Sequence, residues 1–141
     1  MEVKSMKALS VRAPWWWFIL YSGKTIENRD WPTKFRGTIY LHASKWWKFD
    51  EGYADIQAAL ECCGKQRDAV AKQLEFRALH EARGCIVGTI DIVDCVSHSA
   101  SPWFFGDYGF VLENPVAFAK PIPLKGALGF FDVPDGIEVR A

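Results

Sequence analysis

At 141 residues the chain has the length of one domain, and half of its residues are hydrophobic, so a filled core is within reach. Its formal net charge is zero, which argues against a protein that grips long nucleic acid chiefly through phosphates. No apolar run approaches the length of a membrane span, and the first seven residues lack the features of a signal peptide. These properties predict a soluble, cytoplasmic protein with no membrane partner. The charge is unevenly spread, however. Residues 1–48 carry nine Lys/Arg against three Asp/Glu, whereas residues 49–106 and 107–141 each carry an acidic excess. An anionic partner on one face is therefore permitted.

The chain opens with a loosely alternating strand over 6–11, ending at Arg12. Pro14 suits a first helical turn and Gly23 suits the residue just past a helix, so 15–21 is predicted helical. That helix is apolar on every side, which implies burial on most faces with at least one Trp left open. Residues 25–31 follow as a strand candidate. Period-two alternation puts Thr25, Glu27, Arg29 and Trp31 on one face and Lys24, Ile26, Asn28 and Asp30 on the other. A basic loop, 32–36, leads to a strand over 37–44.

Helical spacing runs from a candidate cap at Asp50 to Gly64, and a second helix spans roughly 66–82 with Val70, Leu74 and Ala78 on one stripe. This pair, about 50–83, reads as an insertion into a single domain covering 1–141. A long strand over 85–96 comes next, with Gly88 marking a bend or bulge. After a loop over 97–107, a strand over 108–113 is expected to stop at Asn114-Pro115. Extended chain over 121–126 and a short strand over 130–133 finish the order. Five or six strands curled into a small barrel with flanking helices, an α+β arrangement, fit this better than a parallel α/β sheet.

Cys62, Cys63, Cys85 and Cys95 form no Cys-x-x-Cys pair, and His42, His80 and His98 are dispersed. The spacing predicts no metal, no disulfide and no cofactor.

Leu9-Ser10-Val11-Arg12-Ala13-Pro14-Trp15, Gly23-Lys24-Thr25-Ile26-Glu27-Asn28-Arg29-Asp30-Trp31, Arg36-Gly37 and His42-Ala43-Ser44 occur in the order found in the ASCH domain of the PUA-like superfamily. Gly84-Cys85-Ile86-Val87-Gly88, Trp103-Phe104, Gly109-Phe110-Val111-Leu112-Glu113-Asn114-Pro115 and Lys125-Gly126-Ala127-Leu128-Gly129-Phe130 extend the match, and the chain resembles that family over nearly its whole length. The resemblance implies a PUA-type barrel with a cleft beside the early helix, and a role at RNA or modified nucleosides. One subset removes acetyl from acetylcytidine with a Lys, a Thr and a Glu. Lys24 matches that Lys, but Glu27 stands where the Thr would be and the downstream Glu has no secure counterpart. The chain is more similar to the branch containing the ASCH domain of activating signal cointegrator.

Lys24, Glu27 and Arg29 are the central candidates. As a pocket floor, Arg supplies a planar fork, Glu accepts from an exocyclic amine and Lys supplies a mobile charge. The bland alternative is an ion pair fixing strand to helix. Further ligand-binding candidates are Arg12, Ser44, Lys45, Trp31, Trp46 and Trp103, the Trp rings as stacking platforms. Lys34, Arg36 and Lys48 are phosphate candidates, and one of Trp46 and Trp47 is expected at the surface. Ser101, Trp103 and Asp107 are placed over the cleft mouth. If the protein is an enzyme, Lys24, Glu27 and His42 are its catalytic candidates, in an amidohydrolase or ribonuclease. The leading expectation is a binding module for RNA, single-stranded nucleic acid or a modified nucleoside. A hydrolase and a protein–protein module are the alternatives.

Overall fold

The computed structural model describes residues 6–46, 48–134 and 137. Its scaffold is a six-stranded sheet ordered β2-β5-β4-β3-β1-β6. The strands are β1 (Lys7–Val11), β2 (Ile26–Arg29), β3 (Gly37–Ala43), β4 (Cys85–Val96), β5 (Tyr108–Pro123) and β6 (Phe130–Asp132). β1 and β3 run parallel and the other neighbours antiparallel, so the sheet is mixed. It curls into a half-barrel. The two edge strands approach through side chains: Trp31, just beyond β2, meets Phe130 of β6 edge-on at 5.6 Å and Phe110 of β5 at 5.2 Å. This architecture is the α+β, PUA-like barrel expected from the sequence.

Helix α1 (Trp15–Tyr21) has no side-chain cap and no charged residue in its end turns. Seven residues are too few to be helical alone, so burial must hold it in place. Trp16, Trp17, Phe18 and Ile19 are all buried, and Phe18 completely so, worth about 2–3 kcal/mol for that ring alone. Trp15 and Leu20 are half-buried and Tyr21 is exposed, so two short turns do leave apolar surface open.

The middle of the chain departs from the expected helical pair. α2 (Phe49–Cys62) is followed by a 3-10 turn over Gly64–Gln66, then α3 (Arg67–Gln73) and α4 (Phe76–Glu81). Asp50 lies in the first turn of α2, and its N-cap position is Lys48 without a side-chain cap bond. The split between α3 and α4 has a packing reason. Val70 and Leu79 would face roughly opposite ways on one straight helix at about 100° per residue. Leu74 takes an extended conformation instead, and both side chains reach the core.

β5 also runs on where a stop was expected. Asn114 adopts a left-handed φ of 54°, and the pairing with β4 shifts register around it, so the strand passes Pro115 through an irregularity. Gly88 sits at such a shift, and a Cβ there would lie 2.2 Å from the Val116 carbonyl oxygen. All four cysteines are free thiols. No helix among the described residues is long and apolar enough to cross a membrane.

Candidate nucleoside cleft

The cleft opens where the two edges of the half-barrel meet. β6 pairs with β1 only as far as Leu9, so the β1 edge beyond it is free. Arg29 Nη2 donates to the Ser10 carbonyl at 2.9 Å and bridges β2 to β1. Beside that bridge lies a cavity of about 610 Å³, with Arg12, Trp15, Lys24, Glu27, Asn28 and Arg29 among its walls. This size falls within the ordinary range of small-ligand pockets.

Lys24 reaches the cavity by a local reversal. Gly23, at φ 74°, turns the chain after α1, and the Lys24 backbone N–H donates to the Phe18 carbonyl at 3.1 Å. Because Lys24 precedes the regular part of β2, strand alternation does not apply to it. Its side chain folds to the Glu27 side, contrary to the opposite-face assignment expected from period two. Lys24 as a whole is only 3% exposed. Its ammonium donates to the Ile26 carbonyl, lies 4.0 Å from Glu27 Oε1, and stands 5.2 Å from the Trp15 ring and 5.5 Å from the Trp103 ring.

Burial pushes the Lys24 pKa down, while Glu27 pulls the other way. Desolvating an ammonium costs several kcal/mol, whereas a cation–π contact returns about 0.5–2 kcal/mol. The cost wins.

Glu27 is 8% exposed, and its Oε2 accepts from Arg29 Nε at 3.1 Å and Nη2 at 2.8 Å. This is the shared face expected for the two residues. Arg29 is thus tied at once to Glu27 and to the β1 edge, and Glu27 Oε1 faces Lys24. The chemistry on offer is one carboxylate oxygen, one ammonium and one half-buried guanidinium within a few ångströms.

The roof is the loop over 97–107. Asn28 holds it with both ends of its amide: Nδ2 donates to the Trp103 carbonyl and Oδ1 accepts from the Phe105 N–H, each at 2.9 Å. Gly109 lets the loop lie flat, since a Cβ there would meet Phe104 at 2.8 Å and Ile26 at 2.7 Å. Trp103 is consequently buried over Lys24 and against Phe18, so it is packing and not an open stacking platform. Phe105 of the same loop is 55% exposed and lines the cavity. Ser101 caps the Trp103 N–H at 3.2 Å, and Asp107 is exposed.

The remaining sequence candidates scatter. Arg12 lines the cavity, pairs with Asp55 at 2.9 Å and lies 5.4 Å from the Trp46 ring. Trp31 lines the cavity but is half-buried in the aromatic seam. Ser44 accepts from the Trp46 N–H at 3.2 Å without lining the cavity. Lys45 lies across Gly84, in a separate depression with His80, Glu81 and Arg83. Arg36 donates to the Thr33 and Phe35 carbonyls, and Lys34 is exposed. Trp47 lies outside the described residues.

His42 belongs elsewhere. It is 1% exposed, its Nε2 donates to the Leu124 carbonyl at 2.6 Å, and Ser10 Oγ donates to its Nδ1 at 3.0 Å. Burial lowers its pKa. Both ring nitrogens are engaged behind β1, so it is a structural histidine that does not line the cavity.

Trp15, Asn28 and Phe105 were not among the sequence candidates. Asn28 had one signal, a polar amide of low strand propensity inside a strand. Trp15 and Phe105 carried none that set them apart from other apolar residues. Among the described residues no group of His, Cys, Asp or Glu side chains could hold a metal ion.

A curled mixed sheet with a polar cleft at its seam is the arrangement of a PUA-like domain, and the chain belongs to the ASCH domain family, whose match covers residues 9–111. Human activating signal cointegrator 1 is 27% identical over 126 residues, and the mouse protein of that name 26% identical over 126 residues. Each alignment covers 84% of this chain but only 20% of the relative, so the chain spans about a fifth of those proteins' length.

Proposed function

We propose that the chain is a nucleic-acid binding module whose cleft takes one base of RNA or single-stranded DNA, or a modified nucleoside. The observation that carries this reading is Lys24: a lysine only 3% exposed at the wall of an open cavity, its ammonium between two indoles and a carboxylate. An ion pair needed only to lock β2 would not require a cavity of about 610 Å³ beside it. Membership of the ASCH family supports a nucleic-acid-related role. A base edge presenting donors and acceptors meets its complement in Glu27 Oε1, Lys24 and Arg29. Phe105 offers an open ring at the mouth for stacking.

A second reading, a hydrolase acting on RNA or an acetylated nucleoside, draws on one specific feature. The lowered pKa of Lys24 beside Glu27 is what a proton-transferring amine needs. Against it stands His42, the imidazole such a mechanism would call on, which is engaged behind β1 and does not line the cavity.

Incubation with acetylcytidine and with a short single-stranded RNA separates the readings. Binding without turnover, lost in Lys24→Ala, is the expected result. Turnover abolished by the same change would replace the module with the enzyme. Indifference to both ligands would leave a protein partner as the leading interpretation.

A further inference from the structure

We propose that Arg12, Trp46 and Lys48 form a phosphate subsite at the rim of the cleft, so that the ligand is one residue of a single strand and not a free nucleoside. The inference rests on the nucleoside reading above and adds where the strand leaves the cavity. The cavity walls themselves carry three cations, Arg12, Lys24 and Arg29, against two carboxylates, Glu27 and Asp30. Both inner cations already face Glu27. Such a lining suits the polar edge of a neutral base better than a phosphate, whose charge then falls outside.

The charge to meet it is at the rim. Trp46, in the stretch between β3 and α2, is 46% exposed, and two cations converge on its ring, Arg12 at 5.4 Å and Lys48 at 5.6 Å. Asp50 and Glu51 stand in the first turn of α2 just after Lys48, and Asp55 is bonded to Arg12 Nη2 at 2.9 Å. That bond fixes the guanidinium while leaving its other N–H groups free among the described residues. Two cations brought to one indole give an anion two points of attachment at the rim. The guanidinium fork and the lysine point charge are complementary ways of holding phosphate oxygens. The half-open indole adds a surface for the neighbouring base.

Arg12 is the join, being both a wall of the cavity and a partner of Trp46. Neighbouring basic residues do not share the arrangement. Lys45 is directed to Gly84 and Arg83, and Arg36 donates to loop carbonyls and sits 3.6 Å from Asp94. Of the described basic residues in 1–48, Arg12 and Lys48 are the two that meet on Trp46 beside the cleft.

Fluorescence anisotropy of the full chain with labelled 12-nucleotide single strands of mixed sequence, one RNA and one DNA, tests this. The variants are Lys48→Gln, Trp46→Ala and Lys24→Met. Lys48→Gln is expected to weaken binding about fivefold to tenfold and to reduce the slope of log affinity against log salt by about one. Trp46→Ala weakens binding by a similar factor, and Lys24→Met weakens it without changing the slope. The tighter of the two strands identifies the sugar. Binding that needs Lys24 but ignores Lys48 and Trp46 overturns the rim subsite and leaves the cleft reading standing. Binding that needs Lys48 and Trp46 but not Lys24 overturns the base-in-cavity reading and leaves the rim as a phosphate site. No binding of either strand by the unaltered chain, or equal displacement by a short polyglutamate, overturns both.

Discussion

Two buried polar clusters flank strand β1, and they are built to different rules. Behind the strand, His42 has each ring nitrogen matched, one to the Ser10 hydroxyl and one to the Leu124 carbonyl. Phe131 packs edge-on to its ring, and Gly126 lies so close that a Cβ there would be 2.7 Å from His42 Cε1. In front, Lys24 has three N–H bonds and one close carbonyl partner, and Glu27 accepts both hydrogen bonds from Arg29 on a single oxygen. Ser10 joins the two, its hydroxyl serving His42 and its carbonyl serving Arg29. Equal burial therefore has opposite meanings. A polar group with every valence matched and no adjoining cavity holds the fold together, and one with hydrogen-bonding capacity left over beside a cavity is available to a ligand.

The comparison breaks first at His42. His42→Ala removes a fully buried ring and strands both the Leu124 carbonyl and the Ser10 hydroxyl, so chemical denaturation should show a loss of about 3 kcal/mol. Ligand affinity of the fraction that remains folded should be unchanged. A loss of binding with full stability would reverse the roles assigned to the two clusters.

Lys24→Met should do the converse. The isosteric apolar chain keeps the packing against Trp15 and Trp103 and removes a charge that burial disfavours. Glu27 retains Arg29 as its partner, so stability should hold or rise by about 1 kcal/mol. Affinity for a single strand should fall at least tenfold, roughly 1.4 kcal/mol. A variant that unfolds instead would make Lys24 a second structural group.

Asn28→Ala acts one step back. It cuts the two amide bonds that hold the loop over 97–107, each worth about 1 kcal/mol net, without touching Lys24 or Glu27. Hydrogen exchange should quicken at Phe105, whose N–H loses its acceptor, and binding should weaken a few-fold as Phe105 and the Trp103 lid lose their fixed positions. Unchanged exchange at Phe105 would show that packing alone holds the roof.

The sequence made the strands and α1 legible because alternation and terminal signals are local. Gly23 and Pro14 bracket α1, and β4 starts and ends where its apolar run does. It hid what depends on three-dimensional fit. The break at Leu74 exists because Val70 and Leu79 share one core, and β5 passes Pro115 because β4 supplies a shifted partner. The same division governs the cleft. Glu27 and Arg29 were readable as neighbours on one strand face, whereas Lys24 joins them only through the turn at Gly23 and the contacts with Trp15 and Trp103. His42 stayed a conditional candidate for a general base, with a structural role favoured, because a sequence displays the imidazole and not the two partners that engage it.

The smallest expected effect lies in the pH dependence of stability, where the two clusters act in different windows. His42 has a folded-state pKa below its ordinary 6.5 because burial disfavours the imidazolium. The unfolded chain therefore binds that proton more readily, and the contribution of His42 is complete above 6.5 and declines as pH falls through its folded pKa. Lys24 is also depressed, below 10.5, but it remains charged at lower pH, where its buried ammonium opposes folding. As pH rises from its folded pKa towards 10.5, that penalty is relieved and stability gains. Unfolding midpoints across the acid range should lose part of their slope in His42→Ala and keep it in Lys24→Met. Across the alkaline range the pattern should invert, Lys24→Met removing an upward contribution that His42→Ala preserves. If neither change flattens its own window, the contrast in how the two clusters bind protons is wrong, even should their hydrogen-bond partners be right.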